Sequence, residues 1–408
     1  MPIWEFNRGE WTEAYVFLHL LGCGRLYGAD ENQIRNDLTY IDIVNIIRDE
    51  PNSLVIFERF LEEEQVRISF EKEGTIRLVT APELTDRANF LYEKIKRVTA
   101  GSRKLQIPEI QEFLEWMFFN SPKANLSENA KEQFGAKTDI VITSEDSQDR
   151  ARRTEGFSIK SHIGSSPTLF NGSQTSGFVY EIPECTEAEM HTINALDSFV
   201  EMVGYIKQNL SLRFCGCRNE VFAENLELSD GSLESVLNEM VLTAINYSEG
   251  AATKNLPDLC DALSRSNPLG KRHPEYYYAS KIKKFLFDSF AGMTASTIWN
   301  GRRNLTGGYI DVNKDGEMLY YRANSDDVFC NYLMKYAYLD FLDRGRNKDI
   351  AVAKAKAFLD HRSVTDEELR EATYKASGEI KPIKGNFGYV YEKDGHYYFD
   401  INFQVRCR

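Results

Sequence analysis

The sequence predicts a mixed α/β protein, and three observations carry that reading. A β-branched run, 138–143, and a second strand-length run, 156–161, are joined by a polar loop. Segments such as 10–21 bring apolar residues onto one face at steps of three and four. Asp-Gly pairs at Asp315-Gly316 and Asp394-Gly395 each separate two strand-like runs. A length of 408 residues suits two or three domains, or one elaborated domain.

Taken in order, residues 10–21 read as a helix with Trp11, Tyr15, Leu18 and Leu21 on one stripe, stopped by Gly22 and Gly24. Residues 37–49 read as a loop and then a helix. Three short strands follow within 53–80, although 54–64 also fits a helix, and 82–119 is mostly helical, interrupted at Pro108. The hairpin at 138–161 comes next, then a short helix or turn at 167–172 and a strand at 178–182. Residues 186–208 are helical, with Thr186 and Glu189 spaced as a capping box. A strand-like stretch at 212–221, a helix at 232–245 and a basic, aromatic helix at 276–290 lead to two hairpins, 309–322 and 387–405. The Ala-rich, charged segment 345–380 between the hairpins reads as helical. Composition shifts suggest three regions: 1–185, 186–270 and 271–408.

Hydrophobic residues make up 42% of the chain, enough for a large core, and no apolar run is long enough to span a membrane. No signal peptide is evident. Seven cysteines, an odd and low number, fit reduced thiols in a cytoplasm. Cys215 and Cys217 lack the second pair that marks a structural zinc site. The net charge of −13 excludes a generic nucleic-acid coat protein but not a DNA enzyme, which needs only a local basic face. Such local runs exist. Residues 265–284 carry six basic residues against Glu275 alone, 344–356 carry five against Asp349, and Arg150, Arg152 and Arg153 cluster. Each run is also what a solvated helix face looks like.

The strongest chemical signal is Asp139 at the start of one strand with Ser158-Ile159-Lys160 on the next. Alternation puts Ser158 and Lys160 on one face, and an Asp one strand over can face them. A carboxylate for a divalent cation beside a lysine for water is the layout of a metal-dependent phosphodiesterase. The same residues also fit an edge strand with a solvated lysine and an aspartate closing a loop. No Gly-rich phosphate loop supports an enzyme of small phosphorylated substrates.

The segment Gly156-Phe-Ser-Ile-Lys-Ser-His-Ile-Gly164, with Ser165 to Asn171 and Gly177 to Ile182 after it, resembles the core of the HpaII-type restriction endonuclease family. Residues 9–18 and 24–32 are similar to that family's N-terminus, and 307–316 with the final hairpin to its C-terminal region. The blocks span nearly the whole chain and are weakest across 340–385. The resemblance implies a PD-(D/E)xK restriction-endonuclease-like core, a small mixed sheet flanked by helices. It implies a type II enzyme that uses Mg²⁺ to cut double-stranded DNA at a short palindrome, 5′-CCGG in the name-bearing member, leaving 5′-phosphates. The working context it implies is cytoplasmic, as a homodimer on DNA, beside a cognate DNA methyltransferase.

By the same resemblance Asp139 matches the motif aspartate and Lys160 its lysine. Ser158 departs from the pattern, because an acid is usual there. Some nucleases of this superfamily complete the site with a glutamate inside G-x-x-x-E, and Gly9 and Glu13 have that spacing. The implied metal set is therefore Asp139, Glu13 and the Ile159 carbonyl, with Glu10, Glu155 or Glu181 as substitutes for Glu13. Glu13 equally suits an acid complementing a helix N-terminus. His162 is either a phosphate contact or a hydrogen-bonded bystander. For base reading, Arg302, Arg303 and Asn304 come first and Lys271 and Arg272 next, while Ser165, Asn171 and Gln174 suit phosphate contact. The competing reading is a catalytically inactive, sequence-specific DNA-binding protein on a decayed nuclease core, for which Ser158 is the supporting feature.

Overall fold

The computed structural model describes residues 2–340, 365 and 390–408, apart from 51–52, 61–63, 72–73, 99–103, 124–125, 136, 165, 171–174, 197–198, 247–254, 302–305, 324–325 and 403. Helix α1 (Arg8–Cys23) begins in a capping box: the Asn7 side chain accepts from the Glu10 N–H, and the Glu10 carboxylate accepts from the Asn7 N–H. Gly24 ends it at φ +74°, a left-handed conformation that suits glycine. The helix is apolar around most of its girth, so it lies inside the protein.

Five strands follow: β1 (Arg25–Ala29), β2 (Arg35–Glu50), β3 (Ser53–Phe60), β4 (Gln65–Phe70) and β5 (Thr75–Thr80). Strand β2 occupies the segment expected to be helical. Its buried positions run Ile41, Ile43, Ile46, Arg48 and Glu50, and a bulge between residues 43 and 45 displaces the alternation by one. That extra residue disguises a period of two in the sequence. Helices α2 (Ala81–Lys96), α3 (Pro108–Trp116) and α4 (Glu128–Phe134) come next, and Pro108 opens α3 as expected.

The chain then makes β6 (Ile140–Asp146), β7 (Arg152–Ser161), β8 (Thr168–Phe170) and β9 (Gly177–Glu181). The segment read as a short helix or turn is thus the strand β8, which pairs with the C-terminal strand. Helices α5 (Glu187–Ala195) and α6 (Phe199–Asn209) precede β10 (Arg213–Cys217). Helices α7 (Glu220–Ser229), α8 (Leu233–Asn246), α9 (Leu256–Ser266) and α10 (Pro274–Phe290) follow, of which α7 and α9 were not foreseen. The remainder is β11 (Gly308–Val312), β12 (Met318–Arg322), α11 (Asp326–Tyr336), β13 (Ala337–Leu339), β14 (Val390–Lys393), β15 (His396–Asn402) and β16 (Val405–Cys407). The segment 345–380, read as helical, lies outside the described residues except for residue 365.

The main sheet is mixed and has nine strands, in the order β1-β12-β11-β7-β6-β2-β3-β4-β5, so it is larger than the small sheet expected. Because β1 also pairs with β2, six of the strands form a closed circuit of pairings. The β11–β12 hairpin, from a region expected to be a separate C-terminal unit, is inserted in this sheet between β1 and β7. It lies parallel to β7 on one side and, through β12, parallel to β1 on the other.

That hairpin joins two cores. Ile310, Val312, Met318 and Tyr320 pack with Phe157, Ile159 and α1 on one face. Tyr309 and Tyr321 pack on the other with Phe329 and Tyr332 of α11 and Phe290 of α10. Close approach sets one residue type here: a methyl group on Gly308 would collide with the Tyr321 carbonyl oxygen across the hairpin. Gly308→Ala should therefore destabilise the fold by about 1–3 kcal/mol, a typical overpacking penalty. Urea unfolding measures it, and a variant as stable as the parent would show that the hairpin can open without cost.

Candidate active site

Strands β6 and β7 are antiparallel, with Ile140 opposite Phe157 and Glu145 opposite Arg152. Asp139 stands just before β6, and its N–H donates to the Phe157 carbonyl at 2.8 Å. Its carboxylate Oδ2 accepts from Ser158 Oγ at 3.1 Å and from the Ile159 N–H at 2.7 Å. Two donors from the next strand therefore fix this carboxylate, and Oδ1 has no partner among the described residues. Ser158 is buried, and its hydroxyl serves Asp139.

Lys160 is half-buried, and its ammonium has no partner among the described residues. The nearby Lys137 ammonium is lowered by desolvation and by the like charge of Lys160, against the opposing pull of Asp139. Asp139, Ser158 and two lysines thus share one electrostatic neighbourhood.

The other acids are placed differently. Glu13 lies on α1, half-buried, and its field supports the charge of the buried Arg48 guanidinium. Arg48 also pairs with Glu50 at 2.6 Å, and burial lowers its pKa. Next to Glu13, Thr12 touches Ser161, one residue beyond Lys160, at 3.4 Å. Glu10 is committed to the α1 cap and faces Lys123 at 3.3 Å. Glu181 lies in a separate four-stranded sheet, bound by Arg213 and by His396. Glu155 receives both bonds of the Arg322 Nη1 at 3.1 Å, while Arg322 Nη2 reaches Asp146 at 2.6 Å. No cluster of three His, Cys, Asp or Glu side chains suited to a metal occurs among the described residues.

One acid was overlooked at the sequence level. Asp311, in the apolar strand Tyr-Ile-Asp-Val, is fully buried and pairs in register with Lys160. A single charge inside an otherwise apolar strand was the available signal.

Of the expected DNA contacts, Arg302, Arg303, Asn304, Ser165, Asn171 and Gln174 lie outside the described residues. Lys271 and Arg272 border an open hollow of about 390 Å³ with Tyr276 and Tyr277. Lys271 Nζ sits 4.7 Å from the Tyr277 ring centre, and Tyr276 is 73% exposed. Part of the neighbouring basic run is used within the fold: Lys281 bonds Asp230, Lys284 bonds Asp288 and Lys283 bonds Asn331. The arginine cluster is likewise partly spent, Arg150 on Glu145 and Arg153 on Asp149.

Comparison with known proteins agrees with the resemblance. The profile of the HpaII restriction endonuclease family matches residues 7–348. The type II restriction enzyme HpaII of Haemophilus parainfluenzae is 32% identical over 330 residues, covering 80% of this chain and 88% of that protein. No solved structure matches the chain.

The Arg322 cluster yields a stability prediction. Arg322→Met leaves two buried carboxylates facing each other and should cost about 3–5 kcal/mol. Burial raises the Glu155 carboxyl and Arg322 lowers it, so the variant raises it further. A raised carboxyl favours the protonated folded state. The deficit is therefore smallest below the ordinary carboxylate range of about 4 and grows as pH rises through it. Urea unfolding at about pH 4 and about pH 8 compares the two, and an equal deficit at both would remove Glu155 from the explanation.

Proposed function

We propose that this chain, a member of the HpaII restriction endonuclease family, cuts DNA through a Mg²⁺-dependent site built on Asp139 and Lys160. The protein is a type II site-specific deoxyribonuclease. The observation that carries the finer reading is the Asp139 carboxylate, held by Ser158 Oγ and the Ile159 N–H, one strand from Lys160.

The donor chemistry suits a hard divalent cation. Carboxylate and carbonyl oxygens are the ligands such ions take, and Mg²⁺ commonly binds one or two carboxylates and completes its shell with water and substrate phosphate. Asp139, the Ile159 carbonyl and Glu13 would hold it, and it would neutralise charge developing on the phosphate. The residues around it have separate tasks. Ser158 and the Ile159 N–H keep Asp139 from turning away. Lys160, with no competing partner among the described residues, would position the attacking water in line with the phosphorus. As the water oxygen bonds phosphorus and the P–O3′ bond breaks, the water's proton passes to solvent and the leaving 3′-oxygen takes one from water. The products are a 3′-hydroxyl and a 5′-phosphate.

This reading assigns the general PD-(D/E)xK core to β6 and β7 and gives Ser158 the place of the usual acid. It takes 5′-CCGG as the target to test first, and a homodimer as the acting form, since a two-fold symmetric site suits a two-fold protein. A cytoplasmic location and a cognate DNA methyltransferase follow from a restriction role. Among the described residues no helix is long and apolar enough to cross a membrane. Lys271 and Arg272, beside the exposed Tyr276, offer a basic and aromatic surface for the DNA backbone.

Plasmid cleavage with Mg²⁺, with chelator and with Ca²⁺ tests the assignment. Asp139→Asn and Lys160→Ala should each lose cleavage by a factor of about 10³ or more while binding DNA in Ca²⁺ as the parent does. Near-normal cleavage by Lys160→Ala would place the active site elsewhere. Sequencing the ends of digested genomic DNA reports the target and the cut position together.

Glu13→Gln keeps size and hydrogen bonding while removing charge. If Glu13 is a ligand, cleavage falls steeply and Mn²⁺ restores part of it, with thermal stability nearly unchanged. A variant that melts earlier but cleaves normally assigns Glu13 to the Arg48 charge alone.

A further inference from the structure

Strand β11 carries its one charge toward the face that Lys160 occupies. Asp311 and Lys160 are in-register neighbours across the parallel β7–β11 ladder, and such neighbours project to the same side of a sheet. The ladder runs past the end of β7, because the His162 N–H donates to the Val312 carbonyl at 2.8 Å. His162 therefore follows Lys160 on that face, and its Nε2 lies 2.8 Å from Asp311 Oδ1. Both residues are buried, Asp311 completely.

The other oxygen of Asp311 is held from the N-terminal region. Gln33 Nε2 donates to Asp311 Oδ2 at 3.2 Å. Gln33 sits at φ +62°, a conformation that a non-glycine residue adopts under constraint. Asp30 ties down its turn by accepting from the Asn32 and Ile34 N–H groups. Asn331 bonding Glu31 and Lys335 bonding Asn32 brace the turn against α11.

Asp311 and Lys160 also act on a common neighbour. The Cys407 thiol is pushed up to about 12 by burial and by Asp311, while Lys160 pulls the other way. On the same face of the strand, two residues before Asp311, Tyr309 packs against Phe290, Phe329 and Tyr332, so the setting is otherwise aromatic. A buried carboxylate 2.8 Å from one nitrogen of an imidazole is placed to do what carboxylates do behind histidines, which is to orient the ring. The second ring nitrogen, Nδ1, has no partner among the described residues.

We propose that His162 binds a phosphate oxygen of the DNA through Nδ1, next to the phosphate handled by Lys160, and that Asp311 is the positioning residue that orients it. This rests on the reading of Lys160 as part of the active site. Gln33 is the brace that keeps Asp311 from rotating toward Lys160, so the lysine stays free for the reaction.

The test is single-turnover plasmid cleavage, together with DNA binding in Ca²⁺, for His162→Ala, Asp311→Asn, the double variant and Lys160→Ala. His162→Ala should slow cleavage about 10- to 100-fold, the usual cost of losing such an interaction, and added imidazole should restore part of the rate. Asp311→Asn should slow it to a similar degree, and the double variant should be no slower than His162→Ala, because Asp311 acts through the ring. Independent, multiplying losses with no imidazole response would overturn the proposal in favour of a structural role. Full activity in His162→Ala with an inactive Lys160→Ala would overturn it while leaving the active-site reading intact. An active Lys160→Ala would remove both. Should Asp311→Asn fail to fold, His162→Gln with imidazole decides the same question.

Discussion

The parallel pairing of β7 with β11 is the contact on which the rest of the molecule depends. It joins residues 157–161 to 308–312, about 150 positions apart in the chain, and inserts the β11–β12 hairpin between β7 and β1. A parallel pair cannot be closed by a tight turn, so the intervening chain must leave the sheet and return. That excursion is the second core, built on α7 to α10 and β8 to β10. The hairpin then serves both cores because alternate side chains of a strand face opposite ways. Glycine at 308 lets the two backbones come close enough for this arrangement.

The main sheet also buries charge, and it does so in sets. Arg48 with Glu50, Arg322 with Glu155 and Asp146, and Asp311 with His162 and Gln33 each lie against the main sheet. Isolated, any of these carboxylates would take up a proton rather than stay charged in an apolar setting. In company they are locked in orientation. This is a poor route to stability but a good one to fixed geometry at the ends of strands. Of the three sets, Asp311 with His162 and Gln33 is the one beside Lys160. The net charge of −13 is thus no obstacle to a DNA enzyme. Part of the acid is neutralised inside, and Lys271 and Arg272 remain outward-facing.

Local chemistry was sufficient for much of the sequence reading. The alternation in 138–161, the Asp-Gly turn at 315–316 and the Thr186 and Pro108 signals each describe a neighbourhood of a few residues, and the structure places the matching elements there. Strand β2 was misread because its bulge breaks the period of two, a feature caused by pairing with β6 on one side and β1 and β3 on the other. Strand β8 was missed because three residues carry no periodicity, and only β16 makes them a strand. The basic run 265–284 read as a local basic face, which a solvated helix face would equally produce. Its lysines 281, 283 and 284 meet Asp230, Asn331 and Asp288, partners that only the packing of α10 against its neighbours supplies.

By itself the sequence determined the hairpin that holds Asp139, Ser158 and Lys160, because register within a short hairpin follows from alternation and turn length. It also determined the family, through blocks spread along the chain. Only the tertiary structure decided which distant groups stand near that hairpin. Asp311 lies 151 positions after Lys160 and Gln33 lies 278 before Asp311, yet both gather on one sheet face. Glu13, spaced in sequence like a ligand, also lies within the field of the buried Arg48. Spacing along a chain sets local geometry alone. Which remote charges meet is fixed by strand order and by the need to bury each of them with a partner.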